Sequence, residues 1–158
     1  MKPKAELISR MNNTKWYEFF NAVDENVDIP WETPVLVKYI DCDELVKEQL
    51  TFGGVLHKEG IHEYWMHPND SLQYKLKRFA TWIYFRDIEW LFFPTVVEQD
   101  IYTKQTRNSP LVKTDTWTIE TDILEIKELI DNLGKLDYEL TDDGLKLYGY
   151  RRVERNGD

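Results

Sequence analysis

Cysteine is nearly absent from this chain. Cys42 is the single one, so no intramolecular disulfide can form and a cysteine-built zinc cage is excluded. It lies between Asp41 and Asp43, whose charges disfavour a thiolate, so a structural thiol is expected rather than a nucleophile. A lone thiol also fits a reducing compartment. No apolar run approaches the roughly 18–20 residues of a membrane span. The opening MKPKAELISR lacks the apolar core of a secretory signal, so a cytoplasmic location is the expectation. The phosphate-cradling patterns GxxxxGKS/T and GxGxxG are missing, as are internal repeats and low-complexity tracts. Positive charge is in deficit too: 20 Lys+Arg against 29 Asp+Glu gives −9, which argues against nonspecific nucleic-acid binding.

What the chain does have is bulk. It is 158 residues long, 42% apolar and 14% aromatic, enough for one domain over 1–158 with a real core. The stripe Trp16, Phe19, Phe20 and Val23 predicts a helix that starts at Asn12 or Asn13, with Met11 stapled on Trp16. Leu7, Ile8 and Met11 suggest a helical turn before it. VLVKYI (Val35 to Ile40) reads as a buried strand, and DCDELVKEQ after it as a short helix or an exposed loop. A hairpin is expected around HKEG, with Gly60 at positive φ and Gly53–Gly54 marking a bulge or a close backbone approach. A turn at Pro68–Ser71 leads into an alternating strand over Leu72–Lys77. Ile88–Phe93 is read as a strand, with Trp16 and Trp90 in the core. Residues 95–115 read as a mobile loop or ragged hairpin.

A second helix is predicted over 122–133, capped by Asp122 and Glu125 and stopped by Gly134. Its inner stripe is Ile123, Ile126, Leu129, Ile130 and Leu133, with Glu125, Glu128 and Asn132 outside. In the closing hairpin, a loop over Thr141–Gly144 sets Leu140 opposite Leu145, Tyr138 opposite Leu147 and Glu139 opposite Lys146; any one-residue slip would mix the faces. The fold class is therefore α+β: a mostly antiparallel sheet with two main helices packed on one face.

Candidate chemistry is sparse. His57, His62 and His67 recur at five-residue spacing, but His62 and His67 would lie about 16 Å apart on opposite faces of an extended arm, so no shared metal is expected. Asp41, Asp43 and Glu44 after a buried strand suit a magnesium site, or more simply a turn. A metal-dependent hydrolase using Asp41, Asp43 and His62 is the enzymatic alternative. A scaffold role as a homo-oligomer is another. The aromatic and basic stretch Lys75–Arg86 looks like a single-strand platform, but the net charge opposes it.

Charge is unevenly placed. Residues 120–143 carry nine acids and two bases, a net of −7. Such a field either solvates a helix face or steers a cationic partner. Glu125, Glu128, Asp131, Asp142 and Asp143, with Trp117 as an aromatic anchor, are the expected contact residues for a basic protein. No catalytic residue, metal, cofactor, nucleic acid or membrane contact is expected.

NNTKW (Asn12–Trp16), YFRDIEWLFF (Tyr84–Phe93) and the closing LYGY (Leu147–Tyr150) resemble motifs of a family of small bacterial proteins of the kind found beside polymorphic toxins. That resemblance implies a non-enzymatic immunity protein, and it brings no catalytic residues with it. It covers mainly the first hundred residues and leaves 95–115 and the acidic segment unaddressed.

Overall fold

The computed structural model describes residues 5–26, 28–30, 33–50, 54–63 and 82–154. Its first helix, α1 (Asn13–Glu25), starts where Asn12 accepts a hydrogen bond from the Lys15 amide at 2.9 Å. The expected stripe is the buried one: Trp16, Phe19, Phe20 and Val23 all face inward, with Met11 buried beside them. Trp16, Phe20 and Phe85 stack at 5.6–6.4 Å, and Phe19 reaches Phe93 at 6.2 Å, so an aromatic column joins helix to sheet.

The second helix, α2 (Ile123–Leu133), is capped by Asp122, whose side chain accepts from the Glu125 amide, and ends at Gly134 with φ of 116°. Ile123, Ile126, Leu129 and Ile130 are its buried face.

Twelve strands accompany the helices among the described residues: β1 (Ala5–Ser9), β2 (Pro34–Tyr39), β3 (Val46–Gln49), β4 (Gly54–Leu56), β5 (Gly60–Glu63), β6 (Trp82–Tyr84), β7 (Ile88–Pro94), β8 (Val96–Thr103), β9 (Val112–Glu120), β10 (Tyr138–Thr141), β11 (Gly144–Tyr148) and β12 (Tyr150–Glu154). The main sheet runs β10-β11-β7-β2-β3. Three smaller sheets are β4-β5-β6, β1-β12 and the hairpin β8-β9. Every described pairing is antiparallel. One core cluster gathers the inner faces of both helices with Val35, Val37, Tyr39, Leu91, Phe93, Leu145 and Leu147. The fold is α+β.

The closing hairpin has the register that its side-chain parity requires: Tyr138 opposite Leu147, Glu139 opposite Lys146 and Leu140 opposite Leu145. Leu145 and Leu147 are fully buried, whereas Leu140, on the sheet edge, remains 46% exposed.

Several expectations need correction. Leu7 and Ile8 belong to strand β1, not to a helical turn, because their backbone pairs with β12. DCDELVKEQ is neither helix nor plain loop: Val46–Gln49 pairs with β2, and burial of Val46 outweighs the helical preference of Lys, Glu and Gln. Gly60 is not among the positive-φ glycines. It is needed because a Cβ there would lie 2.1 Å from the Ile83 carbonyl oxygen.

Trp90 is half-buried on the sheet face opposite the core, where the Lys146 ammonium sits 4.1 Å over its ring. The cause is a bulge. Tyr39 pairs with Ile88 and Lys38 with Trp90, so Glu89 is an extra residue that reverses the phase of β7 and turns Ile88, Leu91 and Phe93 inward together. Segment 95–115 holds strand β8 and the start of β9. Trp31, Gly53, His67, the turn Pro68–Ser71 and the strand Leu72–Lys77 lie outside the described residues.

Candidate functional site

The β8–β9 hairpin is the most unusual surface. Its strands are eight and nine residues long, about 26–30 Å at roughly 3.3 Å per residue. All residues of Glu98–Thr103 and Val112–Thr118 are exposed; only Val97 and Ile119, a cross-strand pair near the root, are half-buried. The pairing sorts its side chains by face. Val97 and Ile119, Gln99 and Trp117, Ile101 and Asp115, then Thr103 and Val112 beyond a bulge at Ile101/Tyr102, share one side. Glu98, Asp100, Thr116, Thr118, Tyr102, Lys113 and Glu120 fall on the other, with Lys113 paired to Asp100 at 3.1 Å. The first face is largely apolar; the second also carries Val96, opposite Glu120, and is polar apart from Val96 and Tyr102. Trp117 is 61% exposed on the apolar face, with Ile101, 38% exposed, diagonal to it; Val112, 53% exposed, lies farther toward the tip. Apolar surface on this scale, carried on a ribbon paired to nothing else among the described residues, is a signature of an interaction site.

The predicted acidic residues separate into three places. Asp142 and Asp143 occupy the β10–β11 turn against the root of the hairpin. The Thr95 amide donates to the Asp143 carbonyl at 2.9 Å, and the Thr121 amide donates to the Thr95 carbonyl at 2.9 Å. Two such ladder steps span about 10 Å, which brings Asp142 and Asp143 near Glu120 and Asp122. Among the described residues none of these four is paired with a base.

Glu125 and Glu128 line a shallow groove of about 460 Å³ between the helices, with Glu25, Asn26 and Asn132. They face a neighbouring helix across that groove rather than forming a plain outer face. Asp131 is already occupied. It accepts from Lys127 at 2.8 Å and from the Tyr138 hydroxyl at 2.7 Å, and these bonds hold its carboxyl below the usual range. Its charge is spent within the molecule, so the outward-facing field comes from the other four predicted carboxylates.

The residues named for the enzymatic alternative lie apart. Asp41 and Asp43 sit in the β2–β3 turn and His62 on a different sheet; among the described residues no three His, Cys, Asp or Glu side chains are grouped to hold a metal. Cys42 is buried, and its thiol donates to the Glu44 carbonyl at 3.4 Å.

Two arrangements escaped the sequence reading. Glu89 is 4% exposed and meets Arg152 at 2.7 Å and Lys38 at 3.8 Å, so one carboxylate ties together β7, β12 and β2. On the β4-β5-β6 sheet, His57 and His62 both lie against Trp82, at 4.8 and 4.9 Å. Hairpin parity carries that signal: the Val55–His62 pair places His57, two residues on from Val55, on the same face.

Among the described residues no helix is long and apolar enough to cross a membrane. Comparison with curated proteins and with solved structures returned no match. Residues 2–154 match a family profile, and the chain belongs to the family of unknown function DUF6678.

Proposed function

We propose that this protein is a non-enzymatic binding module, of the immunity type, which captures a basic protein through the β8–β9 hairpin and the acidic cluster at its root. The observation that carries the reading is Trp117, 61% exposed on the apolar face of a ribbon that contributes almost nothing to the core. A large rigid side chain kept in water serves no folding purpose, whereas at an interface it supplies a desolvated anchor at low entropic cost. Glu120, Asp122, Asp142 and Asp143 supply the field that draws a cationic surface toward it, with Glu125 and Glu128 extending that field along α2.

The test compares retention from source-cell lysate on immobilised wild-type protein, Trp117→Asp and Asp142→Lys/Asp143→Lys, read by mass spectrometry at two salt concentrations. The proposal expects a basic protein held by the wild type, lost with Trp117→Asp, and retained by the charge-reversed variant with slower association and weaker salt dependence. A partner held equally by all three overturns it.

A further inference from the structure

On the outer face of the β4-β5-β6 sheet, His62 pairs across strands with Val55 on one side and Trp82 on the other. His57 follows Val55 by two residues and so shares the face; its amide closes the turn by donating to the Gly60 carbonyl at 2.8 Å. The imidazole centres are 6.3 Å apart with planes 82° from parallel, and each lies 4.8–4.9 Å from the Trp82 indole. Trp82 is 36% exposed, His62 half-buried and His57 exposed, so the cluster is open to solvent on one side.

We propose that His57 and His62, across the indole of Trp82, form a two-coordinate site for a monovalent d10 metal ion, with copper(I) as the biological occupant.

Three observations converge on that ion. The first is separation. A metal–nitrogen bond of about 2.0 Å plus roughly 1.1 Å to the ring centre puts two imidazoles on opposite sides of one metal about 6.2 Å apart, and at a tetrahedral angle only about 5 Å apart. The observed 6.3 Å matches the linear arrangement. Copper(I) and silver(I) accept linear two-coordination, which leaves the angle between ring planes unconstrained. Zinc takes four ligands in a tetrahedron.

The second is charge and ligand count. Among the described residues no third His, Cys, Asp or Glu joins the pair to make a divalent site. Neutral imidazoles contribute no negative charge, so a single positive charge is the smallest one to leave uncompensated.

The third is the indole. The three ring distances place the midpoint of the two imidazoles about 3.7 Å from the Trp82 centre, within the roughly 6 Å over which an aromatic ring attracts a cation. Tyr84 stacks on Trp82 at 6.1 Å, and Arg86 lies 4.8 Å over Tyr84, so the indole is braced by its strand neighbour.

The experiment titrates the full chain, in a Cys42→Ala background that removes the competing thiol, with silver(I) as a redox-inert probe and then with copper(I) under anaerobic ascorbate. Indole emission and long-range 15N–1H imidazole correlations report the site. The expected result is one equivalent bound, shifts confined to His57 and His62, and quenching that Trp82→Leu abolishes. His57→Ala and His62→Ala each weaken binding at least about a hundredfold without lowering the metal-free melting temperature. Zinc(II) binds at least about a hundredfold more weakly than silver(I). Absence of one-to-one silver(I) binding overturns the proposal. So does binding that survives both histidine substitutions, or zinc(II) binding as tight as silver(I).

Discussion

Replacing Glu89 with alanine tests how far the bulge and its ion triad hold the sheets together. The carboxylate is 4% exposed and receives the Arg152 guanidinium through two nitrogens at 2.7 and 2.8 Å, with the Lys38 ammonium at 3.8 Å. Removing one partner of a buried pair costs about 3–5 kcal/mol when the stranded charge has nowhere to go. Here the two cations differ. The Arg152 side chain is 46% exposed and can turn to water, whereas that of Lys38 is 13% exposed and keeps its bond to the Tyr39 carbonyl at 2.6 Å. The expected loss is therefore about 2–3 kcal/mol, below the full penalty. For a chain of this length that lowers the melting temperature by about 5–10 °C. Urea unfolding of Glu89→Ala, Arg152→Ala and the double variant measures both the loss and the coupling. A Glu89→Ala loss under about 0.5 kcal/mol, or a coupling energy near zero, refutes the view that this carboxylate ties β12 to the core.

Three further outcomes follow from the same geometry. Gly144→Ala places a Cβ at φ of 154° and 2.1 Å from the Phe93 carbonyl oxygen, so a loss of about 3 kcal/mol is expected in thermal unfolding; a near-neutral effect would contradict the close β11–β7 approach. Asn12→Ala removes the cap on α1 and should cost about 1 kcal/mol by urea unfolding, with glycine at that position costing only a few tenths. The Asp137 carboxyl is held below its ordinary value, first by hydrogen bonds from Arg151 and then by Arg10. A depressed folded-state pKa gives stability that is complete above the unfolded value of about 3.9 and disappears as pH falls through the folded one. Asp137→Asn should therefore flatten the acid limb of melting temperature against pH below about pH 4, and an unchanged limb would argue against that ion pair.

The legible parts of the chain were those with a complete period. Trp16, Phe19, Phe20 and Val23 define one helical stripe, and the pairing of Leu140 with Leu145 follows from strand parity alone. β1 and β3 were hidden because edge strands bury little; Val46 is the buried residue of VKEQ, whose other residues suit a helix equally well. The inversion of Trp90 arises from the extra residue Glu89, and nothing in IEWLFF announces an insertion. The candidate contact residues were read by charge, which locates them along the chain but does not reveal that Asp131 is bound by Lys127 and Tyr138 while Asp142 and Asp143 face outward. Trp117 was identifiable because no inward stripe claimed it. His62 was compared with His67 along one arm, so its meeting with His57 across the turn went unseen.

The β1–β12 ribbon has a consequence for how the molecule comes into being. Ala5 pairs with Glu154, so the ribbon joins two segments far apart along the chain. Arg152, the counter-charge of Glu89, sits on β12. Contacts so remote along the chain form slowly. A folding chain whose β12 has not yet docked therefore leaves the Glu89 carboxylate with Lys38 but without its arginine, and closing the ribbon supplies the missing counter-charge.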